Sequence, residues 1–292
     1  MRPRADGDDG MLINALNGLV YGSLLFVLSS GLVLVYGLRR VVNFAHGALY
    51  MLGAYIGWSV ATAYGFAAGV AAAGVALAAV GVVLDLVLFR KLAGRQPLIT
   101  VIVTFGVLLI LEDVVRSVWG TGNRALDPPA ALDGVVEIFG APFPVYRLFI
   151  VAASAAMAGS LAAWLRWGRT GLFVRAASHD ASVAAMCGVR TAAIGPMVVG
   201  LGAAFAGLSG IIAAPFLSIH PSMGSEILVL SFVVSVIGGL GSFAGAFIAA
   251  MLLGQVQSFG TVLLPELAAL LPFLLMAAVL VFRPQGIAGT KG

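Results

Sequence analysis

Long apolar blocks alternate with short polar breaks along almost the whole chain. The blocks do not alternate residue by residue, as half-buried strands do; they are continuous runs rich in Ala, Gly, Leu and Val. A helix rises about 1.5 Å per residue, so about 20 residues cross a hydrocarbon core about 30 Å thick. Blocks of that length predict spans at 11–37, 43–63, 66–89, 97–118, 147–165, 192–217 and 262–282. The apolar stretch 227–259 is too long for one ordinary span and is interrupted by Gly238-Gly239-Leu240-Gly241. It predicts broken or re-entrant helices: two short helices, or a hairpin that enters and leaves on one side. Backbone polar groups in lipid need internal partners, which favours helices over a barrel for such blocks. The expected fold class is therefore all-α, a polytopic transmembrane helical bundle with about 7–9 crossings. Residues 1–10 read as a polar N-terminal tail, 11–286 as one transmembrane domain, and 287–292 as a C-terminal tail. FAHGALYMLGA at 44–54 echoes FAGAFIAAMLLG at 243–254, which fits either an internal repeat or shared small-residue composition.

Composition agrees with the pattern. The chain is 61% hydrophobic and 10% charged, against about 25% charge in soluble domains. Its 38 glycines suit helices that approach closely in a membrane. The basic residues set the orientation. Eleven of the 16 lie at Arg39/Arg40, Arg90/Lys91/Arg95, the four arginines of 166–190, and Arg283/Lys291. Placing these inside leaves 10 of the 12 acids in the other loops and puts the N-terminus outside and the C-terminus inside. The number of crossings is then odd: nine if 227–259 forms two helices, seven if it is re-entrant. Residues 119–146, with Pro128, Pro129, Pro142 and Pro144, form the largest external segment and read as irregular. The net charge of +4 is spread over short loops and does not suggest nucleic acid. The lone Cys187 excludes an intrachain disulfide and a cysteine metal site. The first apolar block is too long for a signal-peptide core, so no cleaved leader is expected.

The segment 166–190, RWGRTGLFVRAASHDASVAAMCGVR, stands between two spans with four arginines and one acid. Residues 176–187 predict a short helix ended by Gly188, because glycine takes the left-handed conformation cheaply. Arg175 and Asp180 can face a polar partner, with Ala176 between them; Ala184 and Ala185 offer a small apolar face for docking. The other reading is an amphipathic helix on the lipid surface, with Arg175 near anionic headgroups.

Polar residues at membrane depth usually face a bundle interior or cavity. Asn43 and His46 open the second predicted span beside Arg39 and Arg40, so they either cap a helix start at the interface or line the inner end of a path. His46 has no second ligand at metal spacing. Gly238, Gly239 and Gly241 read as a gate with free backbone groups at depth or as close helix packing. Thr100 and Thr104 either face the path or bond back to their own helix. Asp85 is expected to pair with Arg90 or Lys91, and Glu112, Asp113 and Arg116 to be solvated surface charge. No GxSxG, HExxH or GxxxxGK[ST] motif is present, so enzymatic chemistry and the usual way of binding ATP are not expected.

Four stretches resemble one family: GLFVRAASHDASVAAMCGV at 171–189, NGLVYGSLLFVLSSGLVLVYGLRRVVNFAHGALYMLGAY at 17–55, VIGGLGSFAGAFIAAMLLG at 236–254, and FRPQGIAG at 282–289. Together, in order, they are similar to permeases of branched-chain amino acid ABC importers. The resemblance implies a permease domain over 11–286 with a cytoplasmic coupling loop at 166–191. It implies a multi-pass subunit of the bacterial inner (plasma) membrane, in the lipid bilayer. A second homologous permease, or a second copy, would complete the pathway, with cytoplasmic ATP-binding subunits and a periplasmic solute-binding protein. ATP and Mg would bind the partner subunits, and this chain would hold no cofactor. The implied cargo is a branched-chain or other hydrophobic amino acid, or a related small amide or carboxylate. The acidic-Ala-Ala pattern of some importer permeases is absent in literal form; Ser182-Val183-Ala184 occupies that spacing. The alternatives are an ion-gradient-driven secondary transporter, a permease for another solute such as urea or a sugar, and a structural subunit with no path.

Overall fold

A computed structural model describes residues 6–40, 43–92, 94–138 and 141–289, with side chains from residue 10 onward. The helices are α1 (Asp6–Arg39), α2 (Ala45–Tyr64), α3 (Phe66–Leu84, continued by a π-turn at Asp85–Phe89 and a last turn to Leu92), α4 (Pro97–Trp119) and α5 (Val145–Trp167). Next come α6 (Arg169–His179), α7 (Ala181–Met186), α8 (Thr191–Ala213), α9 (Met223–Gly238), α10 (Phe243–Leu263) and α11 (Leu271–Phe282). Among the described residues, six helices are long and apolar enough to cross a membrane: α1, α3, α4, α5, α8 and α10. The chain is an all-α polytopic bundle, as its hydropathy predicts.

Long-range contacts sort the loops into two ends. Arg40 reaches the Ser178 carbonyl, Arg90 the Ala192 carbonyl, and Arg39 pairs with Asp85. Ile287 N–H donates to Ile237 O at 2.8 Å. Thus Arg39/Arg40, Arg90, 166–190, the α9–α10 turn and 283–289 share one end, the basic end. At the other, Ser258 bonds Asn14 O, Arg147 bonds Asn17, and Arg124 bridges Ile219. The grouping of basic loops follows the charge pattern; Lys291 lies outside the described residues. α1 begins at Asp6, and residues 287 and 288 bond to α9.

Small residues set the helix crossings. α1 packs antiparallel to α10, with Gly18 and Gly22 against Gly254 and Ala250. Phe26 meets Phe243 and Phe247 with ring centroids 5.1 and 5.0 Å apart. Gly53 of α2 lies directly on the Gly207 backbone of α8, and Gly81 of α3 on Val199 and Gly200. Without a hydrophobic drive between helices in lipid, such close approach supplies the association energy through dispersion. The opposite faces remain apolar and exposed, as along α4 at Leu98, Ile102, Phe105, Leu109 and Val118.

Two expectations are corrected, at 262–282 and 119–146, and between the two alternatives at 227–259 one is found. The span placed at 262–282 is only α11, Leu271–Phe282; α10 runs on to Leu263, and Pro265 and Pro272 start new helical turns. The stretch 227–259 forms two helices, α9 and α10, separated by a turn. The 119–146 segment is not wholly irregular: Val135–Ile138 (β1) and Ala141–Pro144 (β2) pair antiparallel, and Phe143 is buried.

Candidate functional site

The 166–190 segment is a folded unit. α6 buries Gly171, Val174 and Ala177, and α7 buries Ala184. Val174, Ala177 and Ala184 join Leu34 and Val35 of α1, Leu161 of α5 and Val198 of α8 in one apolar cluster. The single helix expected over 176–187 is in fact two, because Asp180 leaves the helix (φ −149°) and caps α7. Its Oδ1 accepts from Ser182 N at 2.8 Å, Val183 N at 3.0 Å and Ser182 Oγ at 2.6 Å. The Ser182 hydroxyl bond, followed by the two backbone bonds, holds the Asp180 carboxyl below its ordinary pKa. Gly188 has φ +85° and closes α7, as expected.

The exposed face of the segment differs from the one read in sequence. Ala184 points inward, because it lies on the side of α7 that meets α8; Ala185 is exposed. The outward apolar groups are Val183, Met186 (79% exposed), Leu172 and Phe173. Arg175 is exposed, and Ala176 is half-buried beneath it. The surface thus combines basic and apolar side chains outside the spans.

Behind it lies a buried ion pair. Asp85, 0% exposed, pairs with Arg39 of α1 rather than with Arg90 or Lys91. The π-turn turns Asp85 toward α1 and α8, and Gly195 of α8 covers the pair. Arg90 instead donates to the Ala192 carbonyl at 2.7 Å. The three contacts join α1, α3 and α8 beneath the segment.

Asn43 and His46 lie deeper than the interface. His46 Nε2 is 2.9 Å from the Leu28 carbonyl. Leu28 is eleven residues before Arg39, so about 16 Å further into the bundle. Asn43 Oδ1 accepts from Ala45 N at 3.0 Å. Both residues are buried and brace the start of α2 inside the bundle. Thr104 accepts from Phe44 N at 3.2 Å and bonds back to Val101 O at 3.1 Å. Thr100 borders a cleft of about 290 Å3 with Arg39, Arg40 and Arg95.

The glycine turn also differs from its reading as free backbone at depth. It lies at the basic end, and the Gly238 and Ile237 carbonyls accept from Ala288 and Ile287. Gly239 (φ +95°) and Gly241 (φ +88°) make the reversal, while Gly238 packs on Gly245 and Ala246. Gly241 borders a cleft of about 300 Å3 with Arg40, Arg175 and His179, so the turn and the 166–190 segment line one cleft.

Two features escaped the sequence reading. Glu112 is buried, not solvated; it lies in one α4 stripe with Thr100, Thr104 and Leu108. Its Oε2 is 3.5 Å from Arg116, and its Oε1 has no partner among the described residues. The spacing 100, 104, 108, 112 was a visible signal for this. The second feature is a cleft of about 210 Å3 at the opposite end, bordered by Tyr21, Tyr50 and Glu226.

Residues 14–280 match a protein family described as branched-chain amino acid transport system, permease component. The chain is 29% identical to the high-affinity branched-chain amino acid transport system permease protein LivH of Escherichia coli K12, with 94% of each covered. It is 27% identical to the corresponding protein BraD of Pseudomonas aeruginosa, again with 94% of each covered. A probable branched-chain amino acid transport permease protein LivH of Methanocaldococcus jannaschii is 24% identical over 93% of this chain and 90% of that one. No solved structure matches.

Proposed function

We propose, for a chain that belongs to the permease-component family of branched-chain amino acid transport systems, that it is the membrane-spanning subunit of an ATP-driven ABC importer. Its cargo is a branched-chain or other hydrophobic amino acid, carried inward from a periplasmic binding protein. The observation that carries the coupling role is the α6–α7 unit, folded outside the spans and joined to α1, α5 and α8 through one buried cluster. In this reading the basic end faces the cytoplasm of a bacterial inner membrane, and the 120–144 segment faces the binding protein. Leu172, Phe173, Arg175, Val183, Ala185 and Met186 meet the partner ATPase, which binds ATP and Mg. A second homologous permease, or a second copy of this chain, completes the pathway. ATP in the partner can switch the bundle only by stabilising one arrangement of α6–α7 more than another.

The buried Glu112 favours one other reading, a proton-coupled secondary transporter, since intramembrane acids mark proton relays. Proteoliposomes separate the two. The importer reading expects leucine uptake only when the ATPase subunits, ATP and the binding protein are present. Uptake by this chain alone, driven by a proton gradient without ATP, refutes it.

A further inference from the structure

The cleft at the end opposite α6–α7 lies between α1, α2 and α9. At about 210 Å3 it is smaller than the roughly 300–1,000 Å3 that drug-sized ligands occupy. Its walls divide by chemistry. Met223, Ile227 and Leu230 form an apolar side, and Tyr21 and Tyr50 bring phenol groups to another. Tyr50 is only 3% exposed, and its backbone is held against Gly210 of α8. Glu226, in the first turn of α9, supplies the acid. Its carboxylate is 65% exposed and has one ionic neighbour, His220, at 3.8 Å. A carboxylate, two tyrosines and apolar side chains lining one cleft suit a small molecule with a cation, an anion and an aliphatic chain.

We infer that this cleft is a cargo site within the permease: Glu226 takes the ammonium of an aliphatic amino acid, the Tyr21 and Tyr50 hydroxyls donate to its carboxylate, and Met223, Ile227 and Leu230 cover its side chain. The identity of the cargo rests on the transport reading above. A urea or sugar molecule carries no cation for Glu226, and a lipid tail leaves both the acid and the hydroxyls unpaired. The position also suits control from the basic end. α9 borders the cleft at its first turns and ends in the Gly239–Gly241 turn, where Gly241 lines a second cleft with Arg175 and His179. A displacement of α6 against that turn would move α9, and with it Met223, Glu226 and Ile227.

The test uses the assembled complex with its ATPases and binding protein. A diazirine analogue of leucine is photocrosslinked, and uptake is compared for leucine and for 4-methylpentanoate, the same skeleton without the ammonium. Label is expected on peptides carrying Tyr50 or Met223, displaced by leucine and not by 4-methylpentanoate. Losing a hydrogen bond to a charged group should lower leucine uptake about tenfold in Glu226→Gln. Tyr50→Phe, which keeps the ring and its packing, should reduce both uptake and label. Labelling elsewhere, or wild-type uptake in Glu226→Gln, overturns the cargo site while the transport reading stands. A wild-type complex that hydrolyses ATP but imports no aliphatic amino acid overturns both.

Discussion

The Arg39–Asp85 pair gives the sharpest test of how the basic end is held together. Asp85 has no solvent access, and its Oδ2 has no hydrogen-bond partner among the described residues. Replacing Arg39 by Met keeps the length and apolar stem of the side chain but leaves an uncompensated carboxylate. Breaking a buried pair in this way costs about 3–5 kcal/mol. Arg39 is 22% exposed, so water can reach part of the site, and about 3 kcal/mol is the appropriate end of the range. Soluble chains of 150–250 residues lose about 2–4 °C per kcal/mol, so Arg39→Met should melt about 10 °C lower.

The decisive measurement is a double-mutant cycle on the detergent-solubilised protein. Replacing both partners by apolar groups is often neutral or stabilising. Arg39→Met with Asp85→Leu should therefore recover most of the lost melting temperature, and Arg39→Met with Asp85→Asn part of it. The reasoning is refuted if Arg39→Met melts like the wild type, or if the double variant is as unstable as the single. In the first case the carboxylate is not stranded; in the second the guanidinium acts through packing and not through its charge.

Three further outcomes are expected. A Cβ at Gly188 would meet nothing within 4 Å, so Gly188→Val tests backbone strain alone, about 1–2 kcal/mol; it should reduce cargo-stimulated ATP hydrolysis while leaving membrane insertion intact, and normal stimulation would detach the segment from the ATPase. Gly171→Val tests a clash and not backbone strain, since its Cβ would strike the Trp164 carbonyl. At Gly53 a Cβ would run into the Gly207 backbone, which cannot rotate away as a side chain can; Gly53→Val should cost about 1–3 kcal/mol in a melting experiment, and an unchanged transition would show that α2 and α8 separate freely. Asp180 has a lowered pKa, so its cap is fully formed above the unfolded carboxyl value of about 3.9 and is lost only as pH falls through the lower folded value. Amide exchange in α7 should accordingly show no Asp180-dependent change between about pH 5 and 8, while Asp180→Ala raises exchange and Asp180→Asn restores protection.

Much of the fold was legible because lipid forces one secondary structure on any long apolar block. The breaks were legible too: Gly65, Gly120 and Gly239 each have positive φ at a helix end. What lay beyond reach were pairings between distant segments. Nothing near Gly238 announces that Ile287 and Ala288 will satisfy its turn. Arg90 and Lys91 are nearer Asp85 in sequence, yet the π-turn directs its carboxylate to Arg39. Ala184 was misplaced for a related reason. A short amphipathic helix has two plausible small faces, and only the packing of α8 selects one. Tyr21, Tyr50 and Glu226 come together from three helices, so no local pattern could have joined them. Glu112 is different, because its helical spacing from Thr100 and Thr104 was present to be used.

In the proposed importer the two working ends must influence one another across the bundle, and α1 is the element built to connect them. It contributes Val20, Leu24 and Leu28 to the cluster around α2, Val27, Leu34 and Val35 to the cluster beneath α6, and Leu25, Phe26 and Val33 to the cluster around α10. Close-packed interiors transmit displacement, since there is little void to absorb it. Val35 packs in the cluster of Val174, and Tyr21 borders the opposite cleft; fourteen residues separate them, about 21 Å of helix. A soft point between them is Ser29-Ser30, where Ser30 Oγ bonds back to Val27 O at 2.6 Å. Such back-bonding bends helices. Ser29 Oγ also lies 3.5 Å from Ser231 O of α9, and the His46 ring packs against the next turn at Gly31. A tilt of the basic half of α1 therefore meets α2 and α9 at the same depth, midway to the cleft. Both helices that carry the cleft's other walls would feel it there, so Ser29–Gly31 is a second junction of the bundle beside the glycine turn.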